Sequence, residues 1–235
     1  MTVHWERDGA LAVLTLDRPK RANAYDDAML DAFEHALEAI LADPEVGALV
    51  VEAAGDGAFC GGADLAQMAQ AAPESALDLR SQALFDRLAR APLVSVAAVH
   101  GAAVAGGFEL ALACDLRIGG PRARFSLPET GLGLIPSAGG CTRLTRLAGP
   151  SRAKQIILGG YDLDARTAVD WGLLAVVVEE PRQEARAVAR RVAGRDRLAL
   201  RLAKQVIDLG DTAASLQAER VSEALLYTRR AARGG

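Results

Sequence analysis

The sequence predicts an α/β fold, a sheet built through parallel crossovers and followed by a helical tail. Three observations carry that prediction. Short apolar runs at Leu11–Leu16, Ala48–Val51 and Leu93–Val99 have strand length, and segments of helical periodicity separate them. A strand, a helix and a further strand in that order require a crossover connection, which packs the helix onto the sheet. After the third run the chain turns glycine-rich and then mostly helical, with no fixed-period repeat or low-complexity linker dividing its 235 residues.

The elements follow in order. Val3–Arg7 and Leu11–Leu16 flank an Asp8-Gly9 turn signal and read as an opening hairpin, closed by the loop Asp17-Arg-Pro-Lys-Arg21. From Asp26 to Ala42 the residues Met29, Leu30, Phe33, Leu37, Ile40 and Leu41 recur at helical spacing until Asp43-Pro44 ends the run. A loop from Gly55 to Ala63 leads into helical sequence from Asp64 to Arg90, interrupted at Pro73, before the chain returns to the sheet at Leu93–Val99. Phe108–Ala113 reads as a buried helix, Leu116–Ile118 and Arg124–Leu127 as short strands, and Ala175–Glu179 as the late strand. Helices are expected at Arg182–Ala193, Leu198–Leu209 and Ala213–Arg230.

Composition removes several classes of function. A formal net charge of −3, with no basic block interleaved with aromatics, argues against a nucleic-acid partner. No uncharged apolar run is long enough to cross a bilayer, and the polar start of the chain lacks a secretory leader, so a cytoplasmic, membrane-free protein is expected. Cys60, Cys114 and Cys141 lack metal-ligand spacing and read as reduced core residues. His4, His35 and His100 are scattered, with His100 expected as a satisfied core imidazole, so no metal site is implied.

Two residues stand out chemically. Glu109 and Glu129 are each the single charged side chain in a long apolar, glycine-studded stretch, and an ionised carboxylate is tolerated there when it is paired, protonated or used. For Glu109 the bland reading is a carboxylate satisfied by Arg117, Arg122 or Arg124; for Glu129 it is a turn or N-cap residue after Pro128. Gly61-Gly62-Ala63-Asp64 and Gly106-Gly107 both join a glycine-rich loop to a helix, where unblocked N–H groups could hold an oxyanion, although Asp64 also fits a simple N-cap. Perturbed carboxylates beside convergent N–H donors are what proton transfer next to a carbonyl requires.

Three segments resemble the crotonase, or enoyl-CoA hydratase, superfamily: Ala58-Phe-Cys-Gly-Gly-Ala-Asp-Leu65, Val99 to Asp115, and Phe125 to Gly140. The resemblance covers roughly Val3 to Val178 and implies a ββα spiral core over residues 1–180, with a helical C-terminal region over 181–235. It implies an oxyanion hole at Ala63 and Gly106, and catalytic carboxylates at Glu109 and Glu129, which stand 20 residues apart as in family hydratases. Contacts to the substrate are expected from Arg21, Ala22, Gly61, Ala63, Asp64, Leu65, Ala66 and Gly106, with Lys20 a further basic candidate. The implied activity is reversible hydration of a 2-trans-enoyl-CoA, with coenzyme A a part of the substrate and no separate cofactor. The implied assembly is a homotrimer or a dimer of trimers.

Departures from the family pattern are Ala66 where many members carry lysine, Ala105 where glycine is common, and an ending after Tyr227 without the usual acidic, phenylalanine-containing and basic segment, for which Arg229 and Arg230 could substitute. The alternatives are double-bond isomerisation, which needs no attacking water, and an acyl-CoA binder without turnover. A serine hydrolase built on Ser95 or Ser137 lacks the Gly-x-Ser-x-Gly elbow, and Gly131–Gly140 lacks dinucleotide-binding spacing. Met68, Leu84, Phe85, Leu132 and Trp171 are the candidates for setting acyl-pocket depth.

Overall fold

A computed structural model describes residues 2–68 and 79–232, with the side chains of Leu65 and Met68 outside the description. The predicted interruption at Pro73 lies outside the described residues. Strands β1 (Val3–Asp8) and β2 (Leu11–Leu16) form the expected hairpin around Gly9, whose positive φ suits the turn. β2 then pairs in parallel with β3 (Ala48–Ala53), β3 with β4 (Val94–Val99), β4 with β6 (Leu116–Gly119), and β6 with β9 (Val176–Val177). A second sheet joins β5 (Ala102–Val104), β7 (Arg124–Ser126) and β8 (Leu163–Asp164). The sequence gives no strand signal at β5 or β8, because two or three residues cannot establish a period.

Helix α1 (Asp27–Ala42) buries Met29, Leu30, Phe33, Leu37 and Ile40, as their spacing dictates. Asp26 caps it by accepting from the Met29 N–H at 2.9 Å, an interaction worth about 1 kcal/mol. The short α2 (Leu65–Met68) and α3 (Arg80–Ala89) follow, and α3 buries Leu84, Phe85 and Leu88. Helix α4 (Gly106–Ala113) is buried throughout, which is why its sequence shows no polar face. Beyond it lie α5 (Gly140–Ala148), α6 (Pro150–Ile157) and α7 (Ala165–Asp170).

Helix α8 (Pro181–Ala193) lays Ala185 and Ala189 against Leu11, Val13, Val50, Val96 and Ile118, so it covers one face of the large sheet as part of the core. α9 (Arg197–Asp208) buries no residue fully, and α10 (Ala213–Ala232) buries only Ser215, leaving Leu216, Val221, Leu225 and Tyr227 exposed. Two expectations are corrected. Cys141 is exposed on α5 rather than in the core, while Cys60 and Cys114 are buried as expected. Arg117 donates to the carbonyls of Leu173 and Cys114 and does not serve Glu109.

The adjacent strands β3 and β4 deliver the two predicted glycine loops from their carboxyl ends, the usual ligand side of a parallel sheet. The loops are then fastened together. Cys60 donates to the Ala102 carbonyl at 3.2 Å and its own carbonyl accepts from Val104 at 3.0 Å. Gly101 passes so near the Gly57 carbonyl that a Cβ would lie 1.7 Å from that oxygen, so only glycine fits there.

Ala105 turns the second loop into α4 with φ 53° and ψ −127°, a conformation costly for any residue with a Cβ by about 1–3 kcal/mol. The sequence expectation that alanine permits this turn holds, but at the expense of that strain. Its peptide is held on both sides, by Ala105 N–H on the Ser126 carbonyl and by the Phe108 and Glu109 amides on the Ala105 carbonyl. Ala105→Gly is therefore expected to add about 1 kcal/mol to the unfolding free energy, after the entropy that glycine adds to the unfolded chain, and so to raise the urea midpoint. An unchanged or lower midpoint would show that the turn carries no strain.

Candidate active site

The first predicted donor is oriented by a parallel bridge between Tyr25 and Ala63. Tyr25 N–H donates to the Gly62 carbonyl at 2.8 Å, and the Tyr25 carbonyl accepts from Asp64 N–H at 2.8 Å. A trans peptide points its N–H opposite to its C=O. The Ala63 N–H, in the same peptide as the Gly62 carbonyl, is thus turned away from Tyr25 and engages no partner among the described residues. Gly106 opens α4, where first-turn N–H groups have no partner within the helix. A Cβ on Gly62 would stand 3.1 Å from the Gly106 nitrogen, so the two predicted donors border one another.

Glu109 follows in the first turn of α4, where the helix dipole favours a carboxylate. It is 3 % exposed, and its Oε1 accepts from the amides of Ala138 and Gly140, each at 2.7 Å. Gly140 must lack a side chain, since a Cβ would meet Glu109 Oε1 at 2.9 Å and Pro136 at 2.7 Å. Burial raises the Glu109 pKa to about 7; the negative charge of Glu129 adds to the rise, while the two amides and the Arg143 guanidinium oppose it. Arg143 also donates to the Ala138 carbonyl at 2.9 Å and pairs with Asp86 on α3 at 3.3 Å, which steadies the loop that grips the carboxylate.

Glu129 begins a 3₁₀ turn (Glu129–Leu132) directly after β7 and Pro128. Thr130 pins this turn by donating to the Ile157 carbonyl at 2.6 Å, and Phe125 packs on Phe108 with ring centroids 4.9 Å apart, drawing the turn toward α4. The Glu129 carboxylate is half-buried, burial raises its pKa, and its Oε2 is enclosed without a hydrogen-bond partner among the described residues. It is not the N-cap its position after Pro128 allowed. The charge of Glu129 bears on Glu109, and both glutamates bear on Tyr25 and Cys141, so the two carboxylates stand in one neighbourhood.

The structure divides the remaining predicted contacts. Ala22 accepts from Gly61 N–H at 2.9 Å, which joins the first loop to the 3₁₀ turn Pro19–Arg21, where Lys20 and Arg21 are exposed. Asp64 is occupied within the protein: it caps α2 through Ala66 N–H at 3.0 Å and pairs with Arg18 at 3.3 Å. Ala66 is exposed on α2. Of the pocket candidates, Leu84 and Phe85 are buried, Leu132 is 65 % exposed, and Trp171 stacks with Tyr161 beneath Arg152. Arg229 pairs with Asp196 at 2.8 Å.

Sequence reasoning missed Asn23, buried with φ 52°, which accepts from Arg18 N–H and donates to the carbonyls of Ala54 and Ala58. An asparagine just before a helix was a signal for such a left-handed turn. Tyr25, by contrast, sits in a loop with no pattern around it and gave no signal.

Ser95 and His100 are structural. The Ser95 hydroxyl donates to Asp115, which also accepts from Lys204 at 2.9 Å, and no histidine joins them. His100 lies beside Arg182, and burial with that cation lowers its pKa to about 4, which keeps it neutral. A cavity of about 370 Å³ lies among Pro44, Pro92, Arg197 and Arg201, toward the amino ends of the parallel strands, and none of the predicted site residues lines it. Among the described residues there is no cluster suited to a metal ion, and no helix is long and apolar enough to cross a membrane.

The family model described as enoyl-CoA hydratase/isomerase matches residues 6–232, and the chain belongs to that family. A short-chain-enoyl-CoA hydratase of Clostridium acetobutylicum is 35 % identical, over 93 % of this chain and 87 % of the relative. A crotonyl-CoA hydratase of Syntrophomonas wolfei is 37 % identical, over 91 % and 86 %. The crystal structure of an enoyl-CoA hydratase from Bacillus anthracis superimposes with a TM-score of 0.91 at 31 % identity, covering 95 % of this chain and 90 % of that one. The fold is therefore the crotonase fold that the sequence predicted.

Proposed function

We propose that the protein is an enoyl-CoA hydratase that adds water reversibly and syn across the double bond of a 2-trans-enoyl-CoA. The observation that carries this reading is a pair of glutamates, Glu109 gripped by two amides and Glu129 with an enclosed unpartnered oxygen, near the unpartnered main-chain amides of Ala63 and Gly106. The thioester oxygen is received by the N–H groups of Ala63 and Gly106, so that the enolate's developing charge meets dipoles already in place. Glu109, with a pKa near 7, is poised as the base that activates the attacking water. Glu129, whose pKa burial also raises, exchanges the α-carbon proton. The two roles reverse for dehydration.

A group held by two backbone amides and another with a free buried oxygen differ as an acid and a base sharing a site should. The residues implicated do this chemistry without a metal or redox group, coenzyme A being part of the substrate. The exposed Lys20 and Arg21 are placed to meet its charged end. The apolar residues left open on α9 and α10 support assembly into a trimer or dimer of trimers. Incubation with crotonyl-CoA is expected to yield 3-hydroxybutyryl-CoA, with slower double-bond migration from 3-butenoyl-CoA. Faster migration than hydration would favour the isomerase reading, and binding without turnover of either thioester would favour an acyl-CoA binder.

A further inference from the structure

We infer that Tyr25 is the wall that ends the acyl pocket on the side of the protein core and so limits the length of acyl chain accepted. The inference rests on the hydratase reading, because it assigns Tyr25 to the pocket of that site. The phenol covers the α-carbon of Gly106: a Cβ there would lie 1.9 Å from the hydroxyl oxygen and 2.8 Å from Cζ. The ring is held from two directions. Its backbone is clasped by Gly62 and Asp64, and its edge meets Phe85 of α3 in a T-shaped contact with centroids 5.8 Å apart.

Behind the ring lies a void of about 10 Å³, walled by Tyr25 and Phe85 together with Leu16, Met29, Phe33 and Leu110. The rest of its lining is apolar apart from the Cys60 thiol, a weak donor, and such a space stays dry. Tyr25 thus has Gly106 against its phenol and borders an unfilled apolar core pocket. An acyl chain running coreward from the oxyanion hole meets the phenol before it can reach the void. Truncating the ring joins the two spaces into one apolar channel, whereas removing the hydroxyl alone leaves the ring in place.

The test is the ratio of kcat/KM for 2-decenoyl-CoA to that for crotonyl-CoA, measured on the purified full chain. In the wild type it is expected to fall with each added pair of methylenes. In Tyr25→Ala it is expected to rise roughly tenfold or more, the scale of methylene discrimination in a hydrophobic pocket. Tyr25→Leu, which leaves less of a cavity, should give a smaller rise, and Tyr25→Phe should keep the wild-type ratio. A wild-type enzyme indifferent to chain length overturns the inference without any variant. So does a folded Tyr25→Ala or Tyr25→Leu with the wild-type ratio, or a Tyr25→Phe ratio shifted as far as that of Tyr25→Ala. Wild-type protein that hydrates no thioester of any length instead refutes the hydratase reading, a result distinct from a flat profile.

Discussion

Glu109→Gln is expected to lower kcat for crotonyl-CoA hydration by about 10² to 10⁴, and Glu129→Gln by a comparable factor, the usual contribution of a positioned acid or base. Neither change should disturb the fold. Glutamine at 109 keeps a carbonyl oxygen able to accept from Ala138 and Gly140, the two amides now 2.7 Å from Glu109 Oε1. The pH dependence fixes the assignment further. Because Glu109 must be ionised to act as a base, wild-type kcat/KM should climb through a pKa near 7. The Glu129 charge contributes to that elevated value, so the residual activity of Glu129→Gln should climb at lower pH.

Stability runs the other way. Folding raises the Glu109 pKa from 4.5 to about 7, so the folded state holds the proton more tightly. The resulting stabilisation is complete below about pH 4.5 and is lost as the pH rises through 7. A permanently neutral Glu109→Gln protein should therefore melt above the wild type at pH 8. Loss of activity with a gain in melting temperature is the signature of a carboxylate kept buried for chemistry. Glutamine variants with near wild-type hydration would remove both residues from the mechanism.

Ala63→Pro is the second substitution with a large expected effect, because it deletes one main-chain donor and sets the proline Cδ where that N–H pointed. The N–H of Ala63 plays no part in the bridge to Tyr25, which uses the Gly62 carbonyl and the Asp64 amide. The residue before the new proline would be Gly62, whose φ of 87° is already a glycine conformation and which has no Cβ to clash with the ring. If the Ala63 amide stabilises the enolate, kcat should drop by about 10² to 10³, equivalent to about 2.7–4 kcal/mol. Acyl-CoA affinity is expected to fall as well, because the Cδ takes space beside the thioester oxygen, but kcat should fall the more, since a donor aimed at developing charge contributes mainly in the transition state. A proportional loss in affinity with kcat retained would make Ala63 a binding contact only.

The fold was legible where periodicity runs long enough to be read. Met29 to Ile40 announced α1, and the runs at Leu11 and Ala48 announced parallel neighbours that pair residue for residue as Leu11 with Ala48 and Leu16 with Ala53. β5 and β8 were hidden because their identity comes from partners distant in sequence, such as Phe125 opposite both Ala103 and Leu163. In the site, the solitary charges at 109 and 129 exposed themselves through contrast with their apolar surroundings. What holds them did not, because the amides of Ala138 and Gly140 carry no side-chain signal. The positive φ of Ala105 was likewise invisible, since alanine gives no warning of a glycine conformation. Asp64 shows the opposite case, a residue whose plain N-cap explanation matches its contacts.

In the proposed mechanism the amides of Ala63 and Gly106 polarise the thioester while Glu109 and Glu129 flank its double bond. A crystal structure with bound 3-hydroxybutyryl-CoA tests it most directly. The thioester oxygen is expected about 2.7–3.1 Å from both Ala63 N and Gly106 N, with the 3-hydroxyl within hydrogen-bonding reach of Glu109 and Glu129. A thioester oxygen bound away from those amides, or a hydroxyl facing neither glutamate, would contradict it.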